Sequence, residues 1–245
     1  PTDPDVFYVG TASGGIWRTA VGGNSWVPLS DHIPSLGVSG ILVSYDNPNT
    51  LYVLTGDGDV SIFANDIGVW RASVGVLKST DGGQNWFPTG NFPGTTGDYW
   101  GFKLIQDPTN PNILFAATSD GIYKTTDAGA SWTQRQGGKF TDIEFKPGDH
   151  NVMYATQMSQ NGAAISNAFY RSTNNGDNWT NTGITGIPTN TVRIAIGVSP
   201  NQPGYVYLLA GPRTSSGSFA GVYISLNSGV DFVARANTPN ILGGA

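Results

Sequence analysis

Apolar residues fall along this chain in short runs separated by polar turns rich in Gly, Pro, Asn and Asp. Five runs stand out: Phe7-Tyr8-Val9, Leu51-Tyr52-Val53-Leu54, Leu114-Phe115-Ala116-Ala117, Val152-Met153-Tyr154-Ala155 and Val206-Tyr207-Leu208-Leu209-Ala210. Each follows a turn such as Asn47-Pro48-Asn49 or Asn201-Gln202-Pro203-Gly204, and each is too short for a buried helix, so each predicts a strand. A continuous apolar run of this kind is expected where a strand is buried on both faces. Ahead of four of them lies another run: Gly40-Ile41-Leu42-Val43, Phe102-Lys103-Leu104-Ile105, Ile143-Glu144-Phe145 and Val192-Arg193-Ile194-Ala195-Ile196. After each B run comes a third strand ending in Ser or Thr, and then a short exposed segment. Four strands per unit follow, here called A, B, C and D, with D read as a short polar edge strand.

The strand-C ends align. Gly15-Ile16-Trp17-Arg18-Thr19, Gly75-Val76-Leu77-Lys78-Ser79, Gly121-Ile122-Tyr123-Lys124-Thr125, Ala168-Phe169-Tyr170-Arg171-Ser172 and Gly221-Val222-Tyr223-Ile224-Ser225 each place a Gly four residues and an aromatic seven residues after the Ser or Thr. The intervals between those Ser/Thr positions are 60, 46, 47 and 53 residues, the period of a propeller blade with variable loops. Ser79, Asp81, Gly83 and Trp86, and again Thr125, Asp127, Gly129 and Trp132, resemble Asp-boxes (BNR repeats) of the form S/T-x-D-x-G-x-x-W. Ser172, Asn174, Gly176 and Trp179 keep all but the Asp; Val21 replaces it in the first copy, and Asn227 and Phe232 replace Asp and Trp in the fifth. Through these motifs and the stretches from Val9 and from Ser44, the whole chain resembles sortilin-type (Vps10) propellers of secreted bacterial proteins, and more distantly xyloglucanase-type glycoside hydrolases.

The expected architecture is therefore all-β, a β-propeller of four-stranded antiparallel blades. The units fall at about 1–31, 37–90, 100–136, 140–183 and 191–235, with 236–245 starting a further blade. That is about four and three-quarter blades. Two readings follow: a five-bladed ring closed by the C-terminal stretch, or, as adopted here, part of a larger propeller belonging to a longer chain with other domains.

Composition agrees and narrows the chemistry. The chain has 34 Gly, 15 Pro and 7 Trp but a single Glu, Glu144, so straight-chain helix formers are scarce. Net charge is −5 with no basic run, which removes the electrostatic footprint for nucleic acid, and no apolar stretch is long enough for helical membrane insertion. There is no Cys, which excludes thiol catalysis and Cys-based zinc sites. Richness in Asn, Thr, Ser and Gly points to an extracellular or cell-surface setting.

The box residues are expected to act as turn staples: Asp accepting open backbone N–H groups, Gly supplying positive φ, Trp covering the turn. In the families resembled, these boxes lie on the face opposite the active site. Arg18, Lys78, Lys124 and Arg171 share one repeat register and are expected to pack their stems along blade surfaces.

Function is expected on the face of the B–C and D–A loops, where the insertions 57–74, 157–167, 211–220 and 91–99 fall. Asp57, Asp59, Asp66, Trp70 and Arg71 form the best cluster, with Tyr99, Trp100 and Arg213 as further ligand-binding candidates and Asp57, Asp59 and Asp98 as candidate catalytic carboxylates. Asp57-Gly58-Asp59 is also a candidate Ca²⁺ site, without the EF-hand spacing. No cofactor is otherwise implied. The primary expectation is a non-catalytic module binding a protein or glycan at the loop face, or a structural part of a larger surface protein. The alternative is a glycoside hydrolase using paired Asp residues.

Overall fold

The computed structural model describes residues 3–33, 37–58, 73–92, 99–158, 169–188, 191–212, 219–236 and 238. All regular structure among them is β, in five antiparallel sheets formed in chain order. Sheet I holds β1 (Phe7–Gly10), β2 (Ile16–Thr19) and β3 (Val27–Pro28). Sheet II holds β4 (Val38–Val43), β5 (Leu51–Thr55), β6 (Val76–Ser79) and β7 (Phe87–Pro88). In sheet III come β8 (Gly101–Gln106), β9 (Leu114–Thr118), β10 (Gly121–Thr125) and β11 (Thr133–Gly137). Sheet IV is β12 (Phe140–Lys146), β13 (Asp149–Gln157), β14 (Phe169–Ser172) and β15 (Thr180–Asn181). Sheet V is β16 (Thr191–Val198), β17 (Val206–Pro212), β18 (Gly221–Ser225) and β19 (Val233–Ala236). The chain divides into two compact units, Pro1–Gln134 and Arg135–Ala245, each described by itself below.

Burial follows the period of two. In β5, Leu51 and Val53 join Ile16, Val38 and Trp86 between sheets I and II, while Tyr52 and Leu54 join Leu104, Leu114 and Trp132 between sheets II and III. Successive side chains point to opposite faces, so a strand covered on both sides has to be apolar throughout, and all five residues of β5 and of β9 are buried. The second unit repeats this arrangement: Tyr154 and Phe169 pack with Val206, Leu208 and Phe232 between sheets IV and V.

Two expectations are corrected. β1 is an apolar B run, yet Phe7 and Val9 are each 39% exposed, because only the alternate residue Tyr8 packs into the core that sheet I shares with sheet II. D strands are exposed but not uniformly polar: Val27, Phe87 and Val233 stand out in solvent. Pro28 and Pro88 sit in two of these edges, where a missing N–H costs no ladder bond.

Every A strand carries a register irregularity at the same place, between Val38 and Gly40, Gly101 and Lys103, Phe140 and Asp142, and Thr191 and Arg193. A bulge re-aims the extra side chain. In the first unit those side chains are Ser39 and Phe102.

The strand-C cations do more than lay their stems on the sheet. Arg18, Lys78 and Lys124 lie over the rings of their cross-strand partners Tyr8, Tyr52 and Phe115. Lys78 Nζ also donates to the Ala128 carbonyl at 3.2 Å, joined there by Tyr52 Oη at 3.1 Å, and Arg171 Nε donates to the Ser228 carbonyl at 2.8 Å. Each of these bonds ties one sheet to the C–D turn of the next.

Candidate functional site

The two ends of the strands differ in kind. At one end lie the C–D turns. In all five copies the buried Ser or Thr hydroxyl accepts two backbone N–H bonds, from the residues two and four ahead: Thr19 from Val21 and Gly23, Ser79 from Asp81 and Gly83, Thr125 from Asp127 and Gly129, Ser172 from Asn174 and Gly176, Ser225 from Asn227 and Gly229. Asp81 adds bonds from Gln84 N, Asn85 N, Asn85 Nδ2 and Ser79 Oγ. The Asn85 backbone bond, the Asn85 amide and the Ser79 hydroxyl hold its carboxyl down to about 2. For Asp127 the Ser131 hydroxyl and backbone, then Thr125, do the same, again to about 2. Trp86 Nε1 donates to the Leu29 carbonyl and Trp132 Nε1 to Thr89 Oγ1, so these indoles reach the preceding sheet, whereas Trp179 Nε1 bonds Gly176 O in its own turn. At this end a hollow of about 260 Å³ lies between the D strand of sheet II and the turn of sheet III, lined by Lys78, Phe87, Thr89, Asp127 and Ala128, with Asp127 as its one carboxylate.

The other end is built to carry insertions. Thr11 Oγ1 donates to Gly15 O, Thr55 Oγ1 to Gly75 O and Thr118 Oγ1 to Gly121 O, closing each B–C connection at its base. The chain between those Thr and Gly residues is then free to vary in length. Only two residues intervene after Thr118, but nineteen after Thr55.

Between sheets I, II and III at this end lies a cleft of about 220 Å³ lined by Ala12, Val38, Ser39, Asp57, Gly58, Gly101 and Phe102. Ser39 and Phe102 are the bulge residues of β4 and β8. Backbone bonds fix the floor: Val38 N to Thr11 O, Gly56 N to Gly37 O, Gly58 N to Gly101 O. At Gly58 a Cβ would sit 2.4 Å from the Phe102 ring and 2.6 Å from the Gly101 carbonyl, so only Gly permits this close approach. Asp57 lies in the cleft at 8% exposure, a carboxylate recessed into the wall rather than displayed on a loop tip. A larger hollow of about 410 Å³ between β1 and β4 is walled mainly by apolar side chains, with Asp3 and Arg18 as its charged residues, and it offers no carboxylate pair.

Tyr99 and Trp100 run into this cleft at Gly101. Their backbone is held by Ser73 N to Tyr99 O, Ser119 N to Trp100 O and Trp100 N to Ser119 Oγ. Directly across is the turn Ser119-Asp120, where a carboxylate absent from the sequence-based candidates appears. Asp120 Oδ2 accepts from Tyr123 Oη and from Gln134 Nε2. Burial, then the Asp120 hydrogen bond and charge, push the Tyr123 hydroxyl well above its usual range. The only advance signal was a carboxylate two residues after a strand B and three before an aromatic.

Of the sequence-predicted residues, Asp57 and Gly101-adjacent Tyr99 and Trp100 fall at one end of the first unit, while Asp59, Asp66, Trp70, Arg71, Asp98 and Arg213 lie outside the described residues. Among the described residues, no group of three His, Asp or Glu side chains is placed to hold a metal ion.

The chain is similar to xyloglucanases. It is 30% identical over 148 residues to Xyloglucanase Xgh74A of Acetivibrio thermocellus, covering 54% of this chain and 16% of that protein. To a xyloglucanase of a Paenibacillus species it is 28% identical over 223 residues, 77% of this chain and 20% of that protein. The structure of the GH74 enzyme of Niastella koreensis superposes with a TM-score of 0.67 at 21% identity, over 96% of this chain and 36% of that one. No family model matches. The fold is thus a β-propeller with less than the full span of these relatives, about a sixth to a fifth of the two xyloglucanase sequences. Of the two likenesses expected, it is the xyloglucanase one, the more distant of the pair, that these relatives support.

Proposed function

We propose that this chain is part of a secreted β-propeller that engages a β-linked polysaccharide of the xyloglucan class at the loop end of its first unit. The observation that supports this most is the sequence likeness to the Paenibacillus xyloglucanase across 77% of the chain, well beyond the box turns alone. The cleft is consistent with it: a recessed carboxylate, a hydroxyl and an aromatic edge on a rigid floor are what a sugar chain needs for hydroxyl pairing and ring contact. Binding is the part assigned to these residues. Hydrolysis is the second reading, favoured by the activity in the relatives' names; it requires a second carboxyl facing Asp57 across the substrate, one raised to act as acid. Asp59 and Asp98 are the candidates for that partner.

Affinity electrophoresis and reducing-sugar release by the intact protein on soluble xyloglucan, with starch as control, separate the readings. Retarded migration without sugar release supports binding, and release abolished by Asp57→Asn supports hydrolysis. Neither retardation nor release on xyloglucan removes the proposal.

A further inference from the structure

The turn Ser119-Asp120 holds a carboxylate that its own turn does not use. The backbone N–H groups of Asp120 and Gly121 are both taken by Thr118 Oγ1, so the Asp120 side chain is not the cap of this hairpin. It reaches sideways instead. Oδ2 receives the Tyr123 hydroxyl and, at 3.0 Å, the Gln134 amide, which also donates to the Asp120 carbonyl. Tyr123 is itself immobilised: its ring packs against Phe92 at 5.1 Å, and Phe92 sits edge-on to Trp132 at 5.0 Å. Oδ1 has no donor among the described residues. One oxygen is anchored by two donors on β10 and β11, the residue as a whole is half-exposed, and its neighbour Ser119 is bonded in both directions to the Trp100 backbone, next to Tyr99.

The geometry points to Asp120 as a glycan-contacting carboxylate, accepting hydroxyl protons of a sugar ring that lies against Tyr99 and Trp100. This rests on the polysaccharide-binding reading above and adds a subsite next to the Asp57 cleft, on the strand start that both share at Gly101. A charged acceptor takes vicinal sugar hydroxyls in shorter, stronger bonds than a neutral one, and pre-anchoring removes the cost of ordering it on binding. Tyr123 and Gln134 are positioning residues.

The test measures binding of soluble xyloglucan by the intact protein together with its unfolding midpoint. Asp120→Asn is expected to weaken binding by about tenfold or more, and Tyr123→Phe by a smaller factor, since it loosens the carboxylate without removing it. Asp120→Ala leaves the Tyr123 hydroxyl unpaired and lowers the midpoint; adding Tyr123→Phe recovers the midpoint while binding stays lost. Equal binding by the wild type and Asp120→Asn overturns the Asp120 assignment and leaves the polysaccharide reading standing. A wild type that binds no xyloglucan overturns both.

Discussion

The C–D turns of sheets II and III carry Asp where those of sheets IV and V carry Asn, and the four turns have nearly the same hydrogen bonds. Asp81 Oδ1 accepts Asn85 N at 2.9 Å and Asp127 Oδ1 accepts Ser131 N at 2.8 Å; Asn174 Oδ1 accepts Asn178 N at 3.0 Å and Asn227 Oδ1 accepts Asp231 N at 3.2 Å. The side-chain pair even runs in reverse. Asn85 donates its amide to the Asp81 carboxylate, whereas Asn227 donates its amide to the Asp231 carboxylate, so the acid and the amide have exchanged places across one turn. In these four turns the box position supplies an acceptor oxygen, and a carboxylate as such is not required of it. What does not change in any copy, including the first with Val21, is the buried hydroxyl that precedes it. The motif reads in sequence as an Asp signature, but its common physical element is the Ser or Thr.

Removing that hydroxyl is the largest expected break. Ser79→Ala in an Asp turn and Ser172→Ala in an Asn turn each strand two N–H groups, of which that of Gly83 or Gly176 is buried, at a cost of about 1–3 kcal/mol. Equal losses in chemical denaturation of the two variants support the hydroxyl as the shared element. A loss confined to Ser172→Ala would show that the carboxylate of Asp81 suffices alone.

The charge difference predicts a pH response confined to the first unit. Asp81 and Asp127 have folded values depressed to about 2 from an ordinary 3.8, so their contribution is fully present above about pH 4 and is lost as pH falls through about 2. Both sit in solvent, and the effect is correspondingly modest. Hydrogen exchange at Asn85 and Ser131 should therefore accelerate, relative to Asn178, between pH 4.5 and pH 2.5. The exchange Asp81→Asn with Asn85→Asp should restore the protection that Asp81→Asn alone loses, because it rebuilds the arrangement of Asn227 and Asp231. Failure of the double variant to recover would mean that the two turns differ in more than the order of the pair.

These turns also show how much was legible beforehand. The strand order, the two-sided burial of Leu51 to Leu54 and the place of the long insertion after Thr55 follow from local pattern, since run length and turn chemistry are written in neighbouring residues. The bonds from Lys78 to Ala128 and from Arg171 to Ser228 span 50 and 57 residues, and nothing local marks them beyond the repeat register itself. The A-strand bulges that aim Ser39 and Phe102 are likewise invisible, because Ser-Gly and Phe-Lys read as ordinary strand. Asp57, which lines the cleft, stands out in sequence through its spacing from Asp59. Asp120 was passed over because Asp-Gly between two strands is the usual vocabulary of a hairpin; only the structure shows its side chain turned away from that duty.

The smallest expected effect lies at the position after the box acid. Gly82 stands there at φ 75°, but Ala128, Asn175 and Ser228 hold φ of 55°, 53° and 60° with a side chain attached. A left-handed residue with a Cβ costs about 1–2 kcal/mol, and Asn tolerates it better than Ala or Ser. Ala128→Gly relieves that strain and gives back about 0.5–1 kcal/mol in lost backbone restriction of the unfolded chain, so a net gain under about 1 kcal/mol is expected. The Ala128 carbonyl stays in place for Tyr52 and Lys78, which keeps the change local. Asn175→Gly should gain less than Ala128→Gly, for the asparagine already fits the conformation. A net loss at Asn175 in thermal unfolding would mean that its side-chain bonds to His150, not backbone strain, set the balance at that turn.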